Sequence, residues 1–369
     1  MQKRILVLAK TKMAADTRVL NQIKLLTHIF PESKLVVLNL PTDPVDLKMP
    51  ENVAIKEIKI PLRNKRITRP FTALFFWIAC LAEYVKFRPH IVHCHDTATA
   101  PIGLVLTFFS RFTRVIYDDH EMPDTYKKER LMIKLEELLI ERADMVIFAN
   151  EMRHNYLREK QGVSPKRWCV FENVCPFHEI RPLDSGWHIK YNEIINSLVS
   201  INLKKYKIKV LHQGSLNEKR RSDLAYEAVI KNPETLFVFL APGKSKLISK
   251  ISKLENVVVL DGVPSSMLDD VWKLFDYSMI FYESASLNNN YCAPNRVYLA
   301  LKNKVPFIFN SDNESLSSLS ARYGGGVPYR SSLTFPIEDD CSHIKVNYQD
   351  ILNKQKTDFT ECYRLVMGL

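Results

Sequence analysis

Short apolar runs bounded by polar or turn-forming residues recur along this chain, with amphipathic stretches between them. Apolar runs without alternation are the signature of strands buried on both faces, and the helical stretches between them are the crossovers that join parallel strands. In the first half the pattern predicts strands near Arg4–Ala9, Lys34–Leu40, Ala54–Ile60, His90–Cys94, Arg114–Asp118, Met145–Ala149 and Cys169–Glu172. Helices are expected over Thr17–His28, Phe71–Phe87, Thr99–Ser110, Lys127–Arg142 and Glu151–Glu159. Around Arg181 the rhythm breaks into a polar stretch through Ser185 and Gly186, and a fresh strand starts at Lys207–His212. The alternation then resumes, with strands at Leu236–Leu240, Val257–Leu260, Ser278–Tyr282 and Pro306–Asn310. The helices of this half are Ser222–Lys231, Lys244–Leu254, Ser265–Phe275, Pro294–Lys302 and Glu314–Arg322, and a last helical pattern covers Asp358–Leu369.

This is an α/β chain of two Rossmann-like, doubly wound domains, and its 369 residues agree with two cores rather than one. The expected division is a first domain over 1–182, a linker over 183–206, a second domain over 207–350 and a closing helix over 351–369 that crosses back to the first. In open parallel sheets ligands bind beyond the carboxyl ends of the strands, so the cleft between two such domains is the expected site.

Composition narrows the setting. With 46% hydrophobic and 25% charged residues the chain is globular in character. Its longest apolar run, Phe71 to Ala82, is shorter than the roughly 20 residues a spanning helix needs. The start, Met1-Gln2-Lys3-Arg4, runs directly into a strand without the pattern of a secretion signal. Seven cysteines without C-x-x-C spacing fit neither a disulfide framework nor a zinc site, and point to a reducing, cytoplasmic setting. A net charge of +11 calls for an anionic partner. Nucleic acid is not the expected one, because no recognition module accompanies the charge. No D-x-D dyad or His/Cys cluster stands in a suitable context for a catalytic metal, so neither metal nor other cofactor is expected.

The residues that carry chemistry centre on Tyr291-Cys292-Ala293-Pro294-Asn295-Arg296-Val297-Tyr298. Pro294 suits the first turn of a helix, and the free N–H groups that follow make an anion site suited to a diphosphate. His120 follows the strand Arg114–Asp118 and so stands at a carboxyl end, with His95 and Asp96 at the equivalent end of the preceding strand. Arg18 opens the first crossover helix behind Asp16, after a loop without glycine, so its side chain is a candidate to grip an anionic ligand. In the run Lys219 to Arg221, Arg220 or Arg221 offers a planar charged fork for phosphate oxygens.

In this order and spacing the sequence resembles the retaining family-4 glycosyltransferases of the GT-B fold. The resemblance runs over nearly the whole chain. It rests on the Pro294-Asn295-Arg296 turn before Val305-Pro306, with Asp16-Thr17-Arg18, His93-Cys94-His95-Asp96, Asp118-Asp119-His120-Glu121, His212-Gln213-Gly214-Ser215 and Asp261-Gly262-Val263-Pro264. It implies transfer of a sugar from a nucleotide-sugar donor, with retention, to a saccharide or lipid-linked saccharide in bacterial surface polysaccharide synthesis such as capsule or O-antigen. It also implies residue roles. His120 lies against the donor sugar as the catalytic candidate, while Gly214, Ser215, Arg220, Arg221, Gly262, Val263, Pro294, Asn295 and Arg296 line the donor. Asp16, Arg18, His95, Asp96 and Glu121 fall to acceptor or phosphate. Members with the fullest pattern carry a ribose-binding glutamate where this chain has Leu299, which cannot hydrogen-bond. The alternatives are therefore a degenerate transferase-like binding subunit, or a sugar-nucleotide epimerase of the same fold.

One further segment bears on location. Lys59, Arg63, Lys65, Arg66 and Arg69 form an acid-free stretch just before the helix from Phe71. On a helical wheel Leu74, Phe75, Ile78, Leu81 and Val85 make one apolar face, and one face of the helix can bury against the sheet. Phe76, Trp77, Cys80, Tyr84 and Phe87 make another; either Phe76, Trp77 and Tyr84 beside Arg63, Lys65, Arg66 and Arg69 contact an anionic membrane on its cytoplasmic side, or the helix is sandwiched between the sheet and a neighbouring helix.

Overall fold

The computed structural model describes the chain except residues 1, 14–15, 42–44, 47–48, 61–68, 111, 123–129, 175–180, 183–191, 194, 197–205, 244–245, 264–267, 338–342 and 369. The chain forms two compact units, Met1–Asn173 with Leu352–Leu369, and Val174–Ile351.

In the first unit β1 (Arg4–Lys12), β2 (Lys34–Leu40), β3 (Val53–Glu57), β4 (Ile91–His95), β5 (Arg114–Asp119), β6 (Met145–Phe148) and β7 (Trp168–Val170) form one sheet in the order β3-β2-β1-β4-β5-β6-β7, with parallel ladders. β1 is an interior strand, where Leu6 sits opposite Val36 on one side and Val92 on the other. Ile5 to Leu8 are fully buried, which is why this strand is apolar without alternation. The crossovers are α1 (Thr17–Ile29), α2 (Arg69–Phe87), α3 (Ala100–Phe109), α4 (Arg130–Arg142) and the short α5 (Glu151–Tyr156). Asp16 starts α1 by accepting the Val19 N–H at 3.1 Å, a cap that contributes about 1 kcal/mol.

The second unit repeats the plan. Its strands β8 (Ile208–Gln213), β9 (Thr235–Leu240), β10 (Val257–Leu260), β11 (Tyr277–Ile280), β12 (Phe307–Phe309) and β13 (Gly326–Pro328) lie in the order β10-β9-β8-β11-β12-β13, again parallel. The helices are α6 (Ser222–Lys231), α7 (Lys246–Ile251), α8 (Leu268–Trp272), α9 (Leu287–Asn290), α10 (Asn295–Asn303) and α11 (Glu314–Tyr323). The closing helix α12 (Tyr348–Met367) is longer than the sequence pattern indicates, and from Leu352 onward it belongs to the first unit. There Phe359 packs on Phe171 with ring centroids 4.9 Å apart, and the Tyr363 hydroxyl reaches His93 Nδ1 at 2.6 Å.

The structure decides between the two readings of α2 against the membrane contact of its Phe76, Trp77 and Tyr84 face. Phe76 and Cys80 are fully buried, the Trp77 indole N–H donates to the Ala98 carbonyl at 2.9 Å, and the Tyr84 hydroxyl donates to Ser110 at 2.9 Å. Phe76, Trp77 and Tyr84 are therefore not a membrane contact but the seat of α2 on the unit. The physical reason lies in the polar ends of Trp and Tyr, which need partners when buried and find them beside α3. The face carrying Phe71, Leu74, Phe75, Ile78 and Val85 is left exposed. Arg63, Lys65 and Arg66 lie outside the described residues, as does the side chain of Arg69. Among the described residues no helix is long and apolar enough to cross a membrane.

Candidate functional site

Both sheets reverse strand order beside their first strand, between β1 and β4 and between β8 and β11. Crevices for ligands form at the carboxyl ends of such switch points.

In the second unit β8 runs into Gly214 at φ +112°, a backbone that side chains rarely adopt, and the chain turns there. Next to it β11 continues into Tyr282, whose backbone N–H and carbonyl are both bound by the Asn310 side chain, at 3.0 and 2.7 Å. Two guanidinium groups gather over this ring, Arg220 at 3.9 Å and Arg296 at 4.8 Å from its centroid. Arg296 Nη1 donates to the Gln213 carbonyl at 2.8 Å. The side-chain oxygen of Gln213 accepts in turn from the Trp272 indole at 2.9 Å. Arg220 Nη1 and Arg296 Nη2 are buried without a hydrogen-bond partner, and among the described residues no carboxylate pairs with either arginine.

Burial pulls the Arg220 pKa down; Tyr282 opposes this and Arg296 adds to it. The buried His212 is lowered to about 3 by burial, Arg296 and Arg220, so it stays neutral beside them. Positive charge thus stands uncompensated at the switch point. Helix α10 adds its amino-terminal dipole, since its N-cap Pro294, at φ −71°, makes no side-chain cap and Arg296 lies in its first turn.

Of the other expected donor residues, Ser215 and Asn295 are exposed, and Gly262 and Val263 follow the end of β10 half-buried. Arg221 does not join Arg220. Its left-handed backbone, φ +43°, turns the guanidinium to Asp223 at 3.0 Å and Asp312 at 3.4 Å. Leu299 is 4% exposed and packs in the core, so nothing polar stands at that helix position. Tyr282 was not singled out in the sequence, and His212 entered only within a motif, without a role of its own. The available signal was position, both lying at or next to the carboxyl end of a strand flanking the switch.

In the first unit the corresponding edge is a connected network. The buried Asp118 carboxylate accepts from Arg18 Nη2 at 2.6 Å, from Gln22 Nε2 at 2.7 Å and lies 3.1 Å from His95 Nδ1. Burial would raise the Asp118 pKa, but Arg18, His95 and His120 hold it well below the carboxylate range. Arg18 itself is buried, its remaining N–H groups going to the Phe171 carbonyl and to Asn173 Oδ1 at 3.0 Å. The guanidinium expected to grip an anionic ligand is committed inside the protein, because a buried arginine needs a counter-charge and Asp118 supplies it.

His120 remains at the rim, with a side chain 12% exposed and Nε2 2.9 Å from Asp96. Burial disfavours its charge, yet Asp96 and then Asp118 outweigh this and raise its pKa to about 9. His120 is thus an imidazolium at neutral pH, able to stabilise negative charge or donate a hydrogen bond, not to act as a base. Glu121 lies exposed beyond it. Behind the rim, Glu136 accepts from the Tyr117 hydroxyl and from Thr97 at 2.8 Å, and burial with the nearby Asp119 pushes its pKa up to about 8.

His93, His95 and Asp118 bring three potential metal ligands within 4.8 Å of one another. Asp118 is already held by Arg18 and Gln22, and His93 Nδ1 by Tyr363, while His93 Nε2 and the His95 nitrogens are buried without a hydrogen-bond partner. A cation there would have to displace the Arg18 charge, so the cluster fits a hydrogen-bond network better than a metal centre.

A family model described as Glycosyltransferase Family 4 matches residues 33–175, less than half of the chain. No curated protein sequence matches the chain. Among solved structures, sucrose-phosphate synthase from Thermosynechococcus elongatus is similar with a TM-score of 0.66 and 13% identity, over 100% of this chain and 95% of that one. Anabaena HepE, solved in complex with UDP and glucose, is similar with a TM-score of 0.65 and 13% identity, over 100% and 99%. WaaG, a glycosyltransferase involved in lipopolysaccharide biosynthesis, is similar with a TM-score of 0.59 and 12% identity, over 98% and 94%. At such identities the likeness speaks for the architecture: two parallel-sheet α/β units of the GT-B fold.

Proposed function

We propose that the chain is a glycosyltransferase that moves a sugar from a nucleoside diphosphate sugar to a saccharide or lipid-linked saccharide acceptor. The observation that carries this reading is the uncompensated pair Arg220 and Arg296 over Tyr282, beside the amino terminus of α10. Negative charge builds on a nucleoside diphosphate as its bond to the sugar breaks, and preorganised donors aimed at that charge lower the barrier. Two guanidinium forks and a helix dipole can carry this charge, which supports a reaction that needs no divalent cation.

His120, protonated through Asp96, acts at the sugar in this reading. The fold supports the proposal by analogy, the similar HepE having been solved with UDP and glucose. Retention of the anomeric configuration and a place in surface polysaccharide synthesis rest on the resemblance of the motifs. With Leu299 in the core the ribose adds little, so affinity concentrates on the diphosphate.

The test is calorimetric titration with a panel of nucleoside mono- and diphosphates in EDTA, followed by proton NMR of the product formed from the matching sugar nucleotide. One diphosphate is expected to bind much more tightly than its monophosphate, and the product is expected to keep the donor's anomeric configuration. A folded protein that binds none of the diphosphates would overturn the reading, and an inverted product would remove retention from it.

A further inference from the structure

The outward surface of the first unit carries an apolar strip that the transferase reading does not use. Along α2 the exposed residues Phe71, Leu74, Phe75, Ile78 and Val85 recur every three, four or seven positions, so they share one stripe down the whole helix. Ile78 in its middle is 56% exposed. The neighbouring α3 ends in the same way, with Phe109 83% exposed and Phe112, three residues beyond, 92% exposed. Large aromatic side chains are rarely left in water to this extent in a row, and contiguous exposed apolar surface marks a docking face.

Charge beside the strip says what covers it. Phe112 lines a pocket of about 530 Å³ at the amino edge of the sheet, together with Lys3, Arg114, Lys166 and Arg167. The one acid in that lining, Asp144, is paired with Arg114 at 3.0 Å. The pocket lies at the opposite end of the strands from His120 and Asp96. Exposed phenylalanines beside excess positive charge are complementary to the apolar interior and phosphate headgroups of an anionic bilayer.

We propose that this strip, running from α2 to the pocket at the end of α3, is a docking surface for an anionic lipid bilayer. Ile78, Phe75 and Phe109 enter the acyl boundary, and Lys166 and Arg167 meet lipid phosphates beside Phe112. The proposal does not depend on the transferase reading, because nucleotide binding can be measured in the absence of lipid.

Co-sedimentation of the full chain with phosphatidylcholine vesicles, with and without phosphatidylglycerol, tests it. Binding is expected only to the anionic vesicles and is expected to weaken as salt rises, because exposed charges are screened over roughly 8–10 Å. Ile78→Gln with Phe109→Gln should lower binding at least tenfold while leaving Tm and nucleotide affinity unchanged. Lys166→Glu and Arg167→Glu should lower it about fivefold for each basic residue lost, the equivalent of about 1 kcal/mol near a charged surface. A wild-type chain that ignores anionic vesicles at low salt overturns the proposal. So do variants that bind like wild type. If instead the chain sediments as a dimer that Ile78→Gln splits, with vesicle binding absent, a second copy covers the strip and the bilayer is excluded.

Discussion

Removing Arg220 should separate a ligand site from a structural contact, because the two readings predict opposite signs for the stability of the free protein. In the unliganded chain the Arg220 guanidinium makes a cation–π contact with Tyr282 at 3.9 Å and leaves Nη1 without a partner. A cation–π contact contributes roughly 0.5–2 kcal/mol. Against it stands repulsion from Arg296, 4.8 Å from the same ring centre, which places the two charges no more than about 9 Å apart. At an effective dielectric of about 20 that repulsion is on the order of 2 kcal/mol. The two effects nearly cancel, so Arg220→Ala should leave Tm unchanged or slightly raised. With nucleoside diphosphate bound, the same change removes a charged hydrogen bond of roughly 1.5–3 kcal/mol, a loss of about tenfold to 150-fold in affinity. Arg296→Ala should weaken binding by a similar factor, and should also cost about 1 kcal/mol of stability because the Gln213 carbonyl loses its donor. Arg221→Ala is the internal control, since Asp223 and Asp312 hold that side chain away. Calorimetry gives the affinities and scanning calorimetry the stabilities. An Arg220→Ala protein that binds diphosphate like wild type but melts much earlier would refute the assignment and make the pair a structural device.

Further outcomes follow from other parts of the structure. The pKa of His120, raised to about 9 from 6.5, means its pairing with Asp96 stabilises the fold fully below about pH 6.5 and is lost as pH rises through 9. Linkage puts this at roughly 3 kcal/mol, and the raised Glu136 acts with the same sign, so urea unfolding should show stability falling between pH 6 and pH 9. A flat profile, or one that His120→Gln leaves unaltered, would contradict it. Phe76→Ala should cost about 3–5 kcal/mol, as large buried aromatics do, whereas Ile78→Gln on the opposite face of α2 should stay within about 0.5 kcal/mol; equal costs would mean that the faces are wrongly assigned. Tyr363→Phe strips the buried His93 Nδ1 of its partner and should cost about 1–3 kcal/mol, with faster hydrogen exchange in the last turns of α12. Unchanged exchange there would show that the contact does not anchor the helix.

Much of this protein is determined by its sequence alone. Strands such as β2 and β9 coincide with apolar runs that no other element could use, because a run without alternation is stable only where both faces are covered. The helix after Pro294 was likewise legible, since proline is favoured where a helix begins and disfavoured within it. The strand β13 was not legible. Its Gly324-Gly325-Gly326 run reads as a break, yet Gly326 lies in the sheet where an added Cβ would meet Ser320 Oγ at 2.3 Å, a close approach that only the fold reveals. Periodicity also could not orient α2, because both faces are apolar, and the partners of Trp77 and Tyr84 that decide the matter lie beyond the helix at Ala98 and Ser110. In the same way Arg18 and Asp118 neutralise each other across 100 residues of chain, which turns an expected ligand grip into an internal pair. Arg220 and Arg221 are chemically alike and adjacent, so the sequence offers both to a phosphate. Only the turn that gives Arg221 a left-handed backbone sends one to Asp223 and Asp312 and leaves the other, unpaired, over Tyr282. Local pattern determines which elements form, because burial and backbone preference act within a few residues. Which charges remain unpaired is decided by neighbours far away in the chain, and so by the tertiary structure.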